Sequence, residues 1–203
     1  MEFGEWSEEL KRTIVYTTTP HSTLNTPNSI NYNLSDLTTR SNTMFRDMRR
    51  FKQALPKEQC EEILRRCTSG TLALSGDDGY PYAVPLSYFY GDGKIYFHCA
   101  KEGHKIDAVK NCPKASFCVI ESDGVIPEKF TTAYRSVIAF GQVRIIDNPE
   151  EMRRAITMLS DKYSPNMDSE RDKEIDEFFS RLCMLELTVE HMTGKQGLEM
   201  MRQ

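Results

Sequence analysis

The sequence holds no C-x-x-C pair, no basic excess, no G-x-G-x-x-G and no apolar run near the roughly 18 to 20 residues that cross a bilayer. Each absence removes a class of function. The six cysteines (Cys60, Cys67, Cys99, Cys112, Cys118, Cys183) are scattered through a chain of 203 residues, long enough to fold without staples, so reduced thiols in a cytoplasmic setting are expected. Without a spanning run, or a basic start followed by an apolar stretch, no membrane partner is expected. A net charge of −4 excludes a nucleic-acid binder that works by neutralising phosphates, so any anion must be met locally. Lacking the glycine fingerprint between a strand and a helix, the chain has no dedicated dinucleotide site. No internal repeat is visible.

What is present suits one globular domain with a real core, at 39% apolar content. From Thr17 to Thr43, seventeen of twenty-seven residues are Ser, Thr or Asn, and Leu24, Ile30, Leu34 and Leu37 keep no period. Residues 1–43 are therefore expected to form a disordered leader, with a functional arm as the other reading, and the folded domain to span residues 44–203. Pro56 and "KEQCEEILRRC" predict a helix burying Cys60, Ile63, Leu64 and Cys67. "GTLALSG", "YAVPLSYFY" and "KIYFHCA" read as strands joined at "DDG" and "GDG" in an antiparallel meander. A short helix "HKIDAVKN" follows, then strands "ASFCVIES" and "YRSVIAFGQVRIID", helices "PEEMRRAITMLSDKY" and "SERDKEIDEFFSRL", and a last strand "CMLELTVEHMTGK". Five or six consecutive strands predict a closed or nearly closed antiparallel barrel, mainly β with flanking helices.

The stretch "KIYFHCAKEGHKID" carries the chemistry. A zinc reading of His98, Cys99 and His104 is set aside, because the spacing matches no usual ligand pattern and no second pair exists; no metal is expected. Gly103, His104 and Lys105 sit where a loop becomes a helix, and free N–H groups, the positive dipole end and a lysine together make an anion site. Tyr82, Val84, Leu86, Tyr88 and Phe97 on the neighbouring strands offer surface for a flat ring. Phosphate at one end and a planar ring along the strands describe flavin mononucleotide (FMN). On local chemistry alone the same residues also serve as the core of a barrel with a solvated loop, and His98 as a hydrogen-bonded strand end; both readings stand at this point.

"DDGYPYAVPLSY", "GKIYFHCAKEGHKID", "FTTAYRSVIAFGQVRII" and "MTGKQG", in that order, resemble the Nim-type (nitroimidazole-reductase-like) branch of the pyridoxamine-phosphate-oxidase-like FMN-binding split barrels, from about Met44 to Gly197. The leader has no counterpart there. The resemblance implies a six-stranded split β-barrel and a homodimer with FMN at the subunit interface. His104 and Lys105 would contact the phosphate, His98, Cys99 and Ala100 would line the ribityl chain and ring, and Val84, Pro85 and Leu86 would offer backbone to the ring edge. Tyr134, Arg135 and Ser136 would reach the same pocket, although Arg135 serves equally as a solvated strand residue. His98 would be the catalytic residue beside the flavin.

The implied activity is reduction of small electron-poor compounds such as nitroimidazoles, with a reduced nicotinamide as a transient donor. A non-catalytic module that stores FMN or senses redox state, and a haem-handling relative, need the same fold. The chain ends "EHMTGKQGLEMMRQ", without the arginine-rich segment that true pyridoxamine phosphate oxidases place over their substrate, which argues against vitamin B6 oxidation.

Overall fold

A two-residue strand, β1 (Ala54–Leu55), leads through Pro56 into α1 (Lys57–Arg66), where Glu58 in the first turn and Arg65 and Arg66 in the last suit the helix dipole. The computed structural model describes residues 44–202. The chain divides into Met1–Thr43 and Met44–Gln203, and the expected leader lies outside the described residues. Cys60, Ile63 and Leu64 are buried as expected, whereas Cys67 leaves the helix in an extended conformation and is half-buried.

Two Asp-Gly turns then set two hairpins. Asp78 and Gly79 take φ of 53° and 79°, and Asp92 and Gly93 take 51° and 72°. Positive φ at both central residues gives the turn whose twist matches its strands. So β2 (Ser69–Ser75) returns as β3 (Pro81–Ser87), and β4 (Phe89–Gly91) returns as β5 (Lys94–Ala100). After α2 (His104–Asn111) come β6 (Lys114–Ile126), β7 (Thr131–Ile145), α3 (Pro149–Tyr163), α4 (Asp168–Phe178) and β8 (Leu182–Gln196). Asn148 caps α3 by accepting from the Glu151 amide at 2.9 Å.

The strands form one antiparallel sheet in the order β3-β2-β6-β7-β8-β5-β4, with β1 paired to β8. This corrects the expected meander. "YAVPLSYFY" is not one strand: it breaks at Tyr88, and its halves lie at opposite ends of the strand order. The break has a cause, because the Tyr88 amide donates to the Tyr163 hydroxyl, and its carbonyl accepts from Tyr163 and from Lys162 Nζ, instead of joining a ladder. The first and last strands of the sheet are thus joined by one residue while sharing no ladder. Counting the bent run once and setting β1 aside leaves the six strands of a split barrel.

Strand parity builds two cores. Ile95, Phe97, Leu185 and Leu187 point into the barrel with Leu72, Phe117 and Val137, under α1 and α2. The alternate positions, Tyr96 and Met184, pack against Ile156, Leu159 and Ile175 of the α3–α4 pair. Close packing of α1 on β8 requires Gly194, where a Cβ would lie 2.3 Å from Cys60 Sγ.

Candidate functional site

Alternation along β5 sorts the expected site residues. Phe97 is fully buried in the barrel core, and so is Tyr88, so neither has a face to offer a ring; this corrects their assignment as ring-packing surface. His98, next along the strand, points to the opposite side and is exposed. There it lines a cavity of about 640 Å³ together with Ser87 at the end of β3 and an apolar wall of Ile156, Leu159, Met167 and Phe178 from α3, α4 and their connection. Although its ring is open to solvent on one side, the protein around it partly desolvates His98, and this, with the charge of Lys105 second, lowers its pKa from the ordinary value and favours the neutral imidazole.

Beyond Ala100 the chain turns at Gly103, whose φ of 115° suits a residue without a side chain, and α2 begins with no side-chain cap. Its first N–H groups have no intrahelical partner. Lys105 is half-buried on this turn, and its charge is felt at His98, Cys99 and Cys183. An uncapped helix start and a lysine meet at the strand end that carries His98. Cys99 and Cys183 face each other across β5 and β8, and burial pushes both thiols up, so neither is a ready nucleophile.

His104 belongs to a neighbouring group. Its ring stacks on Tyr82 with centroids 4.1 Å apart, and Nε2 lies 3.6 Å from Asp77 Oδ2 in the β2–β3 turn. Val84 and Leu86 pack on the core, while Pro85 and Ser87 are exposed. Among the described residues β3 pairs only with β2, which leaves its other edge free of a strand partner there. A proline in a strand must turn its missing N–H away from the partner strand. Pro81 and Pro85 therefore fix the phase: the odd positions, Ala83, Pro85 and Ser87, aim their backbone groups at the free edge.

Tyr134 and Ser136 are half-buried on β7. Arg135 is committed to Glu121 Oε2 and Gln196 Oε1, both at 3.2 Å. Glu121 is the extra residue of a bulge between Ile120 and Ser122, and it also pairs with Arg66. One chain does not bring this group to His98. Ser136 pairs with Lys195 and His98 with Met184, eleven positions apart along β8, which is roughly 35 Å of strand.

Sequence reading missed the α3–α4 wall and Ser87. The apolar face of α3, with Met152, Ile156 and Leu159 at helical spacing, signalled a packed helix, but nothing local placed it over His98. Among the described residues no group of three or more His, Cys, Asp or Glu side chains is placed to hold a metal ion, and no helix is long and apolar enough to cross a membrane.

A family described as pyridoxamine 5'-phosphate oxidase matches residues 56–196. The chain belongs to that family. Among solved structures of similar fold, a candidate 5-nitroimidazole antibiotic resistance protein from Bacteroides thetaiotaomicron has a TM-score of 0.60 at 22% identity, over 70% of this chain and 86% of that one. An FAD- and heme-binding protein from Mycobacterium smegmatis has a TM-score of 0.61 at 20% identity, covering 72% of this chain and 74% of its own. A flavocytochrome from Azotobacter vinelandii has a TM-score of 0.62 at 19% identity, covering 74% and 72%. No curated protein matches. At these identities the solved structures share the split-barrel fold of the pyridoxamine 5'-phosphate oxidase family with this chain.

Proposed function

We propose that this protein binds FMN where the β3 edge, the β5 end and the start of α2 meet, and reduces small electron-poor acceptors such as nitroimidazoles. The observation that carries the reading is the imidazole of His98 lining an apolar cavity, beside an uncapped helix start with Lys105. The residues present fit such a group: a backbone that a Cβ does not obstruct, a cation for one phosphate, and a free strand edge for a flat polar rim. Flavin-binding proteins of the same fold add support.

Lys105 and the first N–H groups of α2 would hold the phosphate, with His104 at its margin. The carbonyl groups of Ala83 and Pro85 and the amide of Ser87 would meet the ring edge. The flavin, when bound, supplies the redox chemistry, with a reduced nicotinamide as the donor. His98 would orient the acceptor through a ring N–H hydrogen bond, and Ile156, Leu159 and Phe178 would exclude water around it. Tyr134 and Ser136 would come from a second copy, so the working unit is a homodimer in the cytoplasm. The absorption spectrum of the purified protein, followed by anaerobic acceptor screening of the reduced form, tests the reading. A flavin spectrum with no acceptor reduced would leave a flavin-storage or redox-sensing module, and a Soret band alone would replace flavin by haem.

A further inference from the structure

The cavity beside His98 is apolar in its walls but not neutral at its rim. Glu170 and Glu174 line it from α4, one turn apart on the same helix face. The one guanidinium in the lining, Arg171, is already surrounded by carboxylates: it pairs with Asp161, with Asp168 at 2.6 Å and with Asp172 at 3.0 Å. Neither Glu170 nor Glu174 has such a partner among the described residues. Among the described residues the lining therefore presents two carboxylates without an ion-pair partner, and its one guanidinium is already paired.

We propose that α4 makes this cavity selective by charge, so that Glu170 and Glu174 favour uncharged and cationic planar acceptors over anionic acceptors of the same size. The inference rests on reading the cavity beside His98 as the acceptor site. It narrows the acceptor to a class: a flat, mostly apolar ring without a carboxylate or phosphate. Two carboxylates a few ångströms from a ligand anion, in the partly screened surroundings of a cavity mouth, discriminate on the order of tenfold. The effect should shrink as salt shortens the Debye length. Glu170 and Glu174 are exposed and α4 buries only Ile175, so both positions tolerate substitution.

The test uses the full-length protein as purified and three ring-matched probes: nitrobenzene, 4-nitrobenzoate and 4-nitrobenzylammonium. Binding is followed by ligand-observed NMR, and flavin content is read from absorbance on the same samples. Nitrobenzoate should bind about tenfold more weakly than nitrobenzene. The E170Q/E174Q double variant should remove that gap without changing nitrobenzene binding, and Glu174→Lys should invert it. Equal binding of all three probes, or a preference that survives E170Q/E174Q, overturns the inference whether or not flavin is bound. Charge-selective binding that responds to the variants in a protein that takes up no flavin upholds the inference and overturns the flavin reading instead.

Discussion

The backbone amide of Tyr88 donates to the hydroxyl of Tyr163 at 2.9 Å. One phenol at the end of α3 thereby satisfies the residue at which a single run of chain stops being the first strand of the sheet and becomes the last. Tyr88 is fully buried, so water cannot replace the lost partner. Tyr163→Phe should cost about 1–3 kcal/mol, a fall of several degrees in Tm for a domain of this size. Thermal and urea unfolding check this, and an unchanged midpoint would show that the bend holds without the phenol.

Lys105→Ala should weaken FMN binding by roughly ten- to a hundredfold while barely changing riboflavin affinity, since a charge-assisted contact to phosphate is worth about 1.5–3 kcal/mol. Fluorescence titration with both ligands separates the phosphate contact from a general loss of the site. Tyr134→Ala should also lose flavin, although Tyr134 and Lys105 lie far apart in one chain. Co-expressed with Lys105→Ala, it should recover one flavin per mixed dimer. Recovery of none would defeat the shared site.

Much of this was legible. α3 starts and stops where "PEEMRRAITMLSDKY" does, because a cap at Asn148, a proline at the first position and early acids are local signals. The turns at Asp78-Gly79 and Asp92-Gly93 were legible for the same reason. The break at Tyr88 was not, since its partners Lys162 and Tyr163 lie far along the chain and the strand-like pattern runs on without interruption. Parity held a signal that reading by composition overlooks: Phe97 and His98 are neighbours in a strand and cannot face the same way, so an imidazole at the site places the phenyl ring in the core. That the carboxylates of α4 line a cavity was not legible, because only Ile175 anchors that helix by burial.

His98 gives stability a pH dependence of definite sign. Partial desolvation by the protein around its ring first, and Lys105 second, keeps its pKa below the ordinary value of about 6.5. Between the two values the unfolded chain holds a proton that the folded chain does not, so stability rises with pH through that window and levels off above it. His98→Asn should flatten the rise, measured as urea midpoints from pH 5 to 8 against the parent. Lys105→Ala should move the His98 titration upward, read by NMR. A slope shared by parent and His98→Asn would assign it to other groups.

Glu186 is the buried carboxylate of the opposite end. It is 1% exposed, with Lys94 Nζ at 3.1 Å and Arg144 Nη2 at 3.0 Å. Burial alone would push its pKa up, but Arg144 and then Lys94 outweigh it and hold the carboxyl below the usual range. Its stabilisation is therefore present above the ordinary carboxylate pKa and lost as pH falls through the folded one. Glu186→Ala should cost about 1–3 kcal/mol at neutral pH, because Lys94 and Arg144, left without it, are 37% and 46% exposed and can be rehydrated, and Arg144 keeps Glu151. The deficit should narrow on acidification, and chemical denaturation at pH 7 and pH 4 measures both.

Pro81 and Pro85 matter for crowded conditions as much as for a ligand. A free strand edge is an invitation for another chain to extend the sheet, the first step toward aggregation. Two missing donors along one edge of β3 deny an incoming strand a continuous ladder, yet they leave the carbonyl oxygens in place. The edge can serve a small molecule that needs a few acceptors while refusing a polypeptide that needs a full row of donors and acceptors. The barrel can thus keep its split open in the cell without polymerising through it.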